Sequence, residues 1–414
     1  MIDPPARHPL LAWLAFAVVF VVAVLLHQTV GRFFGDYVER IAIDAGIAVI
    51  LAVSLNIVNG YTGQFSIGHA AFYAIGGYTA GLITYYSSLH LWNATNSWPM
   101  TFEFLRQFQI QNGIFIFAAI AGGLVAAFAG WLVGLPSLRL RGDYLAIVTL
   151  GFGEILRVLL QQTNTQLYTN DEVRNAKWSE LFPPPVGGAL GFINIPKVTT
   201  LFWVVLFAGI TLIVAWRLKR STFGRSMIAI RENEIAAEAM GVNVTRLKVW
   251  AFVFAAFFAG VAGALYAHEP GTQISPSDGG FLRSFDIVIM VVLGGLGSIS
   301  GATIAAILLT IANEWLRGPT HVYYVLLPIL VIRIFAWPYS RTKASIWWIA
   351  VIIGVEAIRS LALWRGIDLG EYRMIIFALI LISVMILRPK GLFGTAEITD
   401  IARLRRQKLQ QEAA

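Results

Sequence analysis

The sequence predicts an all-α fold: a polytopic helical membrane protein with about 10–12 transmembrane segments. Two observations carry this. Of 414 residues, 57% are hydrophobic and only 13% are charged, with a mean hydropathy of +0.70, whereas a soluble domain is about a quarter charged. The apolar residues also fall in unbroken runs that approach the ~20 residues a bilayer-crossing helix needs. Continuous runs exclude the alternating pattern of a β-barrel. The net charge of +8 then reads as basic loops on the inner side of a membrane, not as nucleic-acid binding. With no Cys in the chain, neither disulfides nor thiolate chemistry are available.

Taken in order, the apolar segments are 9–30, 41–59, 66–88, 114–135, 143–162, 200–217, 247–268, 284–297, 300–316, 323–337, 345–364 and 373–388, twelve in all. The first is kept as a span because it is too long for a signal peptide and no A-x-A cleavage site follows. Segments 284–297 and 323–337 are short enough to be re-entrant or broken. The expected organisation is one membrane domain over 1–394, carrying an extra apolar insertion at about 317–370, and a basic tail over 395–414.

The most charge-dense interruption is 221–248. Arg217, Lys219, Arg220, Arg225, Arg231, Arg246 and Lys248 crowd it, opposed by Glu232, Glu234 and Glu238. Ser226 to Met240 reads as one helix of about four turns, because Ala, Met, Ile, Arg and Glu favour helix. Gly241 follows where a left-handed cap is wanted. One reading is a solvated loop. The other is a docking helix, in which Ala229, Ala236, Ala237 and Ala239 let a partner approach closely. Basic residues near span ends place this loop, Arg139, Arg141 and both termini on the cytoplasmic side, leaving 89–113 and 163–199 outside.

Three further stretches are polar or glycine-rich. In 56–81, Gly77 and Gly81 form a G-x-x-x-G pair suited to helix contact, and Gly60–Gly63 suggests an interrupted helix. Asn56, Gln64, Ser66 and His69 are candidates for a translocation path, against a purely structural role. In 138–157, Glu154 and Arg157 sit three apart within an apolar run. They read as a structural ion pair, with a pathway role as the alternative. In 293–301, Gly294, Gly295, Gly297 and Gly301 make either a tight turn or a close crossing. No catalytic motif, metal-ligand cluster or phosphate loop occurs in the sequence.

These blocks together carry a resemblance. NGYTGQFSIGHAAFYAIGGYTAG, LRLRGDYLAIVTLGFGEILR, the stretch from GRSMIAIRENEIAAEAMGVNVTRLK onward, VVLGGLGSISG and EYRMIIFALILISVMILRPKGLFG run in order from about residue 50 to 394. They resemble the LivM-type permease, a membrane subunit of the ABC importer for branched-chain amino acids. The resemblance implies a multi-pass protein of the bacterial inner membrane. It further implies a LivH-like permease partner, two cytoplasmic ATPase subunits and a periplasmic substrate-binding protein. The chain would bind no cofactor and be no enzyme, ATP being used by the partners. Loop 221–248 would be the coupling loop, although Ile235 stands where the usual E-A-A triplet begins and Glu234 lies one position earlier. The same architecture serves urea and short-chain amide importers, which is the alternative. An ion-coupled secondary transporter is a further alternative, but Glu154, Glu314 and Glu356 each have an Arg three residues on, as neutralised pairs would.

Overall fold

The computed structural model describes residues 9–92, 104–137 and 144–317, with isolated positions between 375 and 397. Among these residues every regular element is helical. The helices are α1 (Pro9–Phe34), α2 (Asp36–Asn56), α3 (His69–Trp92), α4 (Phe104–Ser137) and α5 (Tyr144–Gln161). Then come the short α6 (Asn170–Asn175) and α7 (Trp178–Leu181), followed by α8 (Leu201–Arg220), α9 (Thr222–Glu232), α10 (Glu234–Ala239), α11 (Val244–Ala267), α12 (Phe281–Gly294) and α13 (Ile299–Arg317). The first nine expected spans each fall on one helix: α1 to α5, α8, α11, α12 and α13. The runs at 323–337 and 345–364, the insertion at 317–370 and most of 373–388 lie outside the described residues. Six described helices are long and apolar enough to cross a bilayer, and the chain is a multi-pass membrane protein.

Burial sorts the helices by role. α11 buries 17 of its 24 residues, and α2 is buried without a gap from Ile47 to its end. These two form the axis. α1 instead presents Leu14, Val18, Phe20 and Leu25 outward, and α4 presents Phe117, Leu124 and Phe128. Large apolar faces of this kind are stable against acyl chains, not water. α12 is the short member. Its 14 residues give about 21 Å at ~1.5 Å per residue, less than the ~30 Å hydrocarbon core. It turns at 295–298 and packs back on α13, with Ile289 and Leu293 against Ala305 and Leu309.

Lipid tails are as apolar as Leu, so helix association in a membrane depends on close packing of small residues. Here α3, α4 and α11 meet at glycines. A Cβ on Gly76 would overlap the Gly260 backbone, one on Gly122 would come 2.6 Å from the Gly76 oxygen, and one on Gly263 would overlap Tyr73. The G-x-x-x-G expectation is thus corrected. Gly77 touches α11, its Cβ position 2.8 Å from the Gly263 oxygen, but Gly81 lies under the Phe192 and Ile195 side chains. Gly76, one residue away, takes the close contact because it lies on the face turned to α4 and α11. At 293–301, both expected geometries occur together. Gly295 and Gly297 take positive φ (111° and 90°) in the turn, and Gly294 and Gly301 cross in direct backbone contact.

The bundle has two distinct ends. At one lie the end of α2, the start of α9, the 295–298 turn and Glu397. The start of α1 joins them, with Arg217 over the Phe16 ring at 5.2 Å. At the other lies 163–199, fastened where Asn164 Nδ2 donates to the oxygens of Ser179, Glu180 and Pro183. Replacing Gly263 by Val should lower stability by at least ~2 kcal/mol through overpacking. In the same detergent melting assay Gly113→Ala, where nothing lies within 4 Å, should be neutral or slightly stabilising. Equal effects at both positions would contradict the glycine junction.

Candidate functional site

The chain between α2 and α3 is the least regular backbone inside the bundle. α2 closes in a π-helical turn, Ile57–Tyr61. Residues 62–68 then form no regular structure, and Gly63 takes φ 71°. This stretch climbs back inward. Gly60 lies against Gly297 beyond the end of α12, whereas Ala70 N donates at 3.2 Å to Ser284 Oγ, ten residues before that end. At ~1.5 Å per residue that is about 15 Å of depth.

Non-helical backbone inside a membrane protein persists only where protein groups satisfy it. Asn59 does most of this, its Oδ1 accepting from Ser66 N at 3.1 Å and its Nδ2 donating to Ser66 O at 3.4 Å. Thr149 Oγ1 accepts from Ile67 N at 3.1 Å. Gln64 lies 3.0 Å from the Thr62 hydroxyl, and His69 Nε2 is 2.8 Å from Ser54 Oγ. Gln64, Ser66 and His69 are brought together in this stretch, all buried, while Phe65 is 40% exposed. Asn56 stands apart from them. Its Oδ1 accepts from Gly297 N at 2.8 Å and its Nδ2 donates to Ser298 O at 3.0 Å, so its amide latches α2 to the 295–298 turn. Glu154 also serves a helix end: it accepts from Arg157 Nε at 2.7 Å and from Phe281 N at 2.9 Å, at the start of α12, where an acid suits the helix dipole.

The charged loop comes in capped pieces. The expected single helix 226–240 is corrected to α9 and α10, which break at Asn233 (φ −159°). The reason is local. Asn233 Oδ1 accepts from Ala236 N at 3.0 Å and caps α10, the alternative an Asn offers to helix continuation. Ser221 caps α9, and Asn243 caps α11. Gly241 takes φ 82°, as the expected left-handed cap. The expected alanine face is also corrected. Ala229, Ala236 and Ala239 are exposed, but Ala237 is buried in the core, because the break rotates α10 so that Ala237 faces inward. Glu234 pairs with Lys248 at 2.8 Å, while Arg225 and Glu238 remain exposed.

Arg231 joins the loop to the irregular stretch. Its Nη1 donates to Gly60 O at 2.8 Å, its stem covers the Cβ position of Gly63, and Glu232 holds the other side of the guanidinium at 2.6 Å. A second tie lies beside it. Lys219 Nζ donates to Gly297 O at 2.6 Å and to Glu397 Oε1 at 2.5 Å. Glu397 also accepts from the Ile299 and Ser300 amides at 3.0 Å and from the Ser300 hydroxyl. Sequence reading missed Asn59, Thr149, Ser284 and Glu397. For Asn59 a signal existed: a polar amide next to glycines at the end of an apolar run.

Burial raises the Glu397 carboxyl, but Lys219, the Ser300 hydroxyl and the two amides outweigh it and hold it below the ordinary value. A depressed folded value stabilises above the unfolded value near 4.5 and is lost as pH falls through the folded one. Glu397→Gln should therefore melt several degrees below the parent at neutral pH, and the gap should close in strong acid. A gap that persists there would contradict the latch.

Known proteins can now be compared. The family described as branched-chain amino acid transport system / permease component matches residues 37–385. The high-affinity branched-chain amino acid transport system permease protein LivM of Salmonella typhimurium is 36% identical over 306 residues, 70% of this chain and 66% of that protein. LivM of Escherichia coli K12 matches to the same extent. The permease protein LivH of E. coli K12 is 25% identical over 271 residues, 64% of this chain and 80% of that protein. The chain spans 66%, just under two thirds, of the length of the LivM relatives. No solved structure shows a significant match. By the extent of the family match, the chain belongs to the permease component family of branched-chain amino acid transport systems.

Proposed function

We propose that the chain is a membrane subunit of an ATP-driven importer, carrying branched-chain amino acids delivered by a periplasmic binding protein. It pairs with a LivH-like permease and is driven by two cytoplasmic ATPase subunits. It sits in the bacterial inner membrane with both termini on the ATPase side, and hydrolyses nothing itself. The observation that carries this reading is the Arg231–Gly60 bond within a family-matched chain. It ties a short capped helix pair to the irregular stretch 62–68. Force delivered to α9 and α10 reaches that stretch through one rigid contact. The solute path runs along the exposed side of the stretch, beside Phe65 and between the two permeases. Glu397 and Lys219 brace the same end.

Uptake of labelled leucine into cells carrying the assembled importer should require this chain and should stop on ATP depletion. Uptake that persists without ATP would overturn the reading. Arg231→Ala should leave ATPase association intact but cut solute moved per ATP roughly tenfold, the effect of losing one charged hydrogen bond. Ala236→Trp, on the exposed side of α10, should weaken ATPase association without changing the melting temperature. Ala237→Trp, in the core, should destabilise the chain itself. If both substitutions behave alike, α10 is not the docking element.

A further inference from the structure

The backbone contact between α4 and α11 stops short of the charged loop. The two helices run antiparallel, with Gly122 and Gly123 against Gly260, and Gly130 against Phe252 and Ala256. Beside and past Gly130, on the way to the loop, a groove of about 620 Å³ opens between them. Phe128, Trp131 and Leu135 line it from α4, Trp250 and Val253 from α11. All of these but Val253 are exposed. Phe128 belongs both to the groove and to the outward apolar face of α4 with Phe117 and Leu124. The groove therefore opens onto the bilayer.

The lining changes along its length. Val253 and Phe128 lie at the deep end, Trp250 and Trp131 follow, and Asn243, Thr245 and Arg246 stand at the mouth, where α11 begins. At ~1.5 Å per residue, Arg246 and Val253 are about 10 Å apart along the axis. Hydrocarbon, then indole, then charge is the succession of a membrane surface. Asn243 is occupied with its own helix, its Oδ1 accepting from Arg246 N at 2.9 Å. The Arg246 side chain is exposed, and among the described residues it forms no ion pair. The Glu234 carboxylate is taken by Lys248 at 2.8 Å. Apolar walls do not hold ordered water. A groove that ends in an unmatched cation instead favours a ligand with a hydrocarbon body and an anionic end.

We propose that this groove holds one phospholipid with an anionic headgroup. Its phosphate meets Arg246 and the Thr245 hydroxyl, and an acyl chain lies along Trp250, Trp131 and Phe128. Its leaflet, the one on the ATPase side, follows from the orientation proposed above; the groove and its chemistry do not. Asn243 lies four residues past the end of α10. The lipid thus stands at the joint where the charged loop enters α11, and its headgroup steadies that joint.

The test uses the assembled importer in phosphatidylcholine nanodiscs with a trace of lipid bearing a photoreactive diazirine in its acyl chain. The probe is phosphatidylglycerol, which is anionic, or phosphatidylcholine, which is zwitterionic. Peptide mapping counts adducts on 128–135 and 249–253. The phosphatidylglycerol probe should label them about fivefold more, the worth of one basic residue at an anionic headgroup. Arg246→Gln should remove the preference and Arg246→Lys should keep most of it. Labelling on the outward face of α1 should not distinguish the probes. If Arg246→Gln fails to assemble, the parent in about 1 M salt gives the same comparison, because screening within ~3 Å removes the attraction. Equal labelling by the two probes, or a preference that survives in Arg246→Gln, overturns the site. A groove that neither probe labels, as when a partner helix fills it, overturns it too. An Arg246-dependent preference in a complex that takes up no leucine would support the site and sink the transport reading.

Discussion

Seven residues of irregular backbone inside a helical bundle are the feature on which the rest depends. Stretch 62–68 has no helical ladder of its own, so its buried amides are met by groups outside it. The groups that meet its amides lie outside it: Asn59 and Val58 O from the end of α2 and its π-helical turn, and Thr149 from α5, while Ser284 from α12 holds Ala70 at the start of α3. Any movement of those helices is therefore felt by the stretch, and any movement of the stretch by them. A plain helix in its place would close its own hydrogen bonds and transmit nothing through them.

The glycine junction has a complementary part. Where α3, α4 and α11 touch backbone to backbone, no side chain can deform to absorb a shift. That junction makes α3, α4 and α11 a rigid frame. The ends are held differently, by polar latches: Asn56 on the 295–298 turn, Glu397 on the start of α13, and Glu154 on the start of α12. Carboxylates at helix starts exploit free amides and the dipole together. A frame that is stiff in the middle and hydrogen-bonded at the ends suits motion at the ends, where the charged loop attaches.

Most helices were legible in the sequence because an apolar run has only one stable form in a bilayer. Their ends were harder. Asn233 reads as one more residue in a helix-favouring run, and only its side-chain bond to Ala236 N shows it as a break. Gly81 carries the spacing of a contact motif while Gly76 makes the contact, since spacing does not say which face turns to which neighbour. The tie between Arg231 and Gly60 joins residues 171 apart. No local pattern encodes a pairing that distant, and the same holds for Thr149 and Ser284.

The central claim is that the loop and stretch 62–68 move as one body. The chain has no Cys, so spin labels can be placed on engineered cysteines at will. Phe65 and Ala236 are both exposed, on either side of the Arg231 contact, and Glu172 is exposed at the opposite end. Pulsed electron resonance on the assembled importer should find the Phe65–Ala236 distance unchanged between nucleotide-free and ATP-bound states, while Ala236–Glu172 changes. A Phe65–Ala236 distance that shifts with nucleotide beyond the spread of the labels would contradict the account.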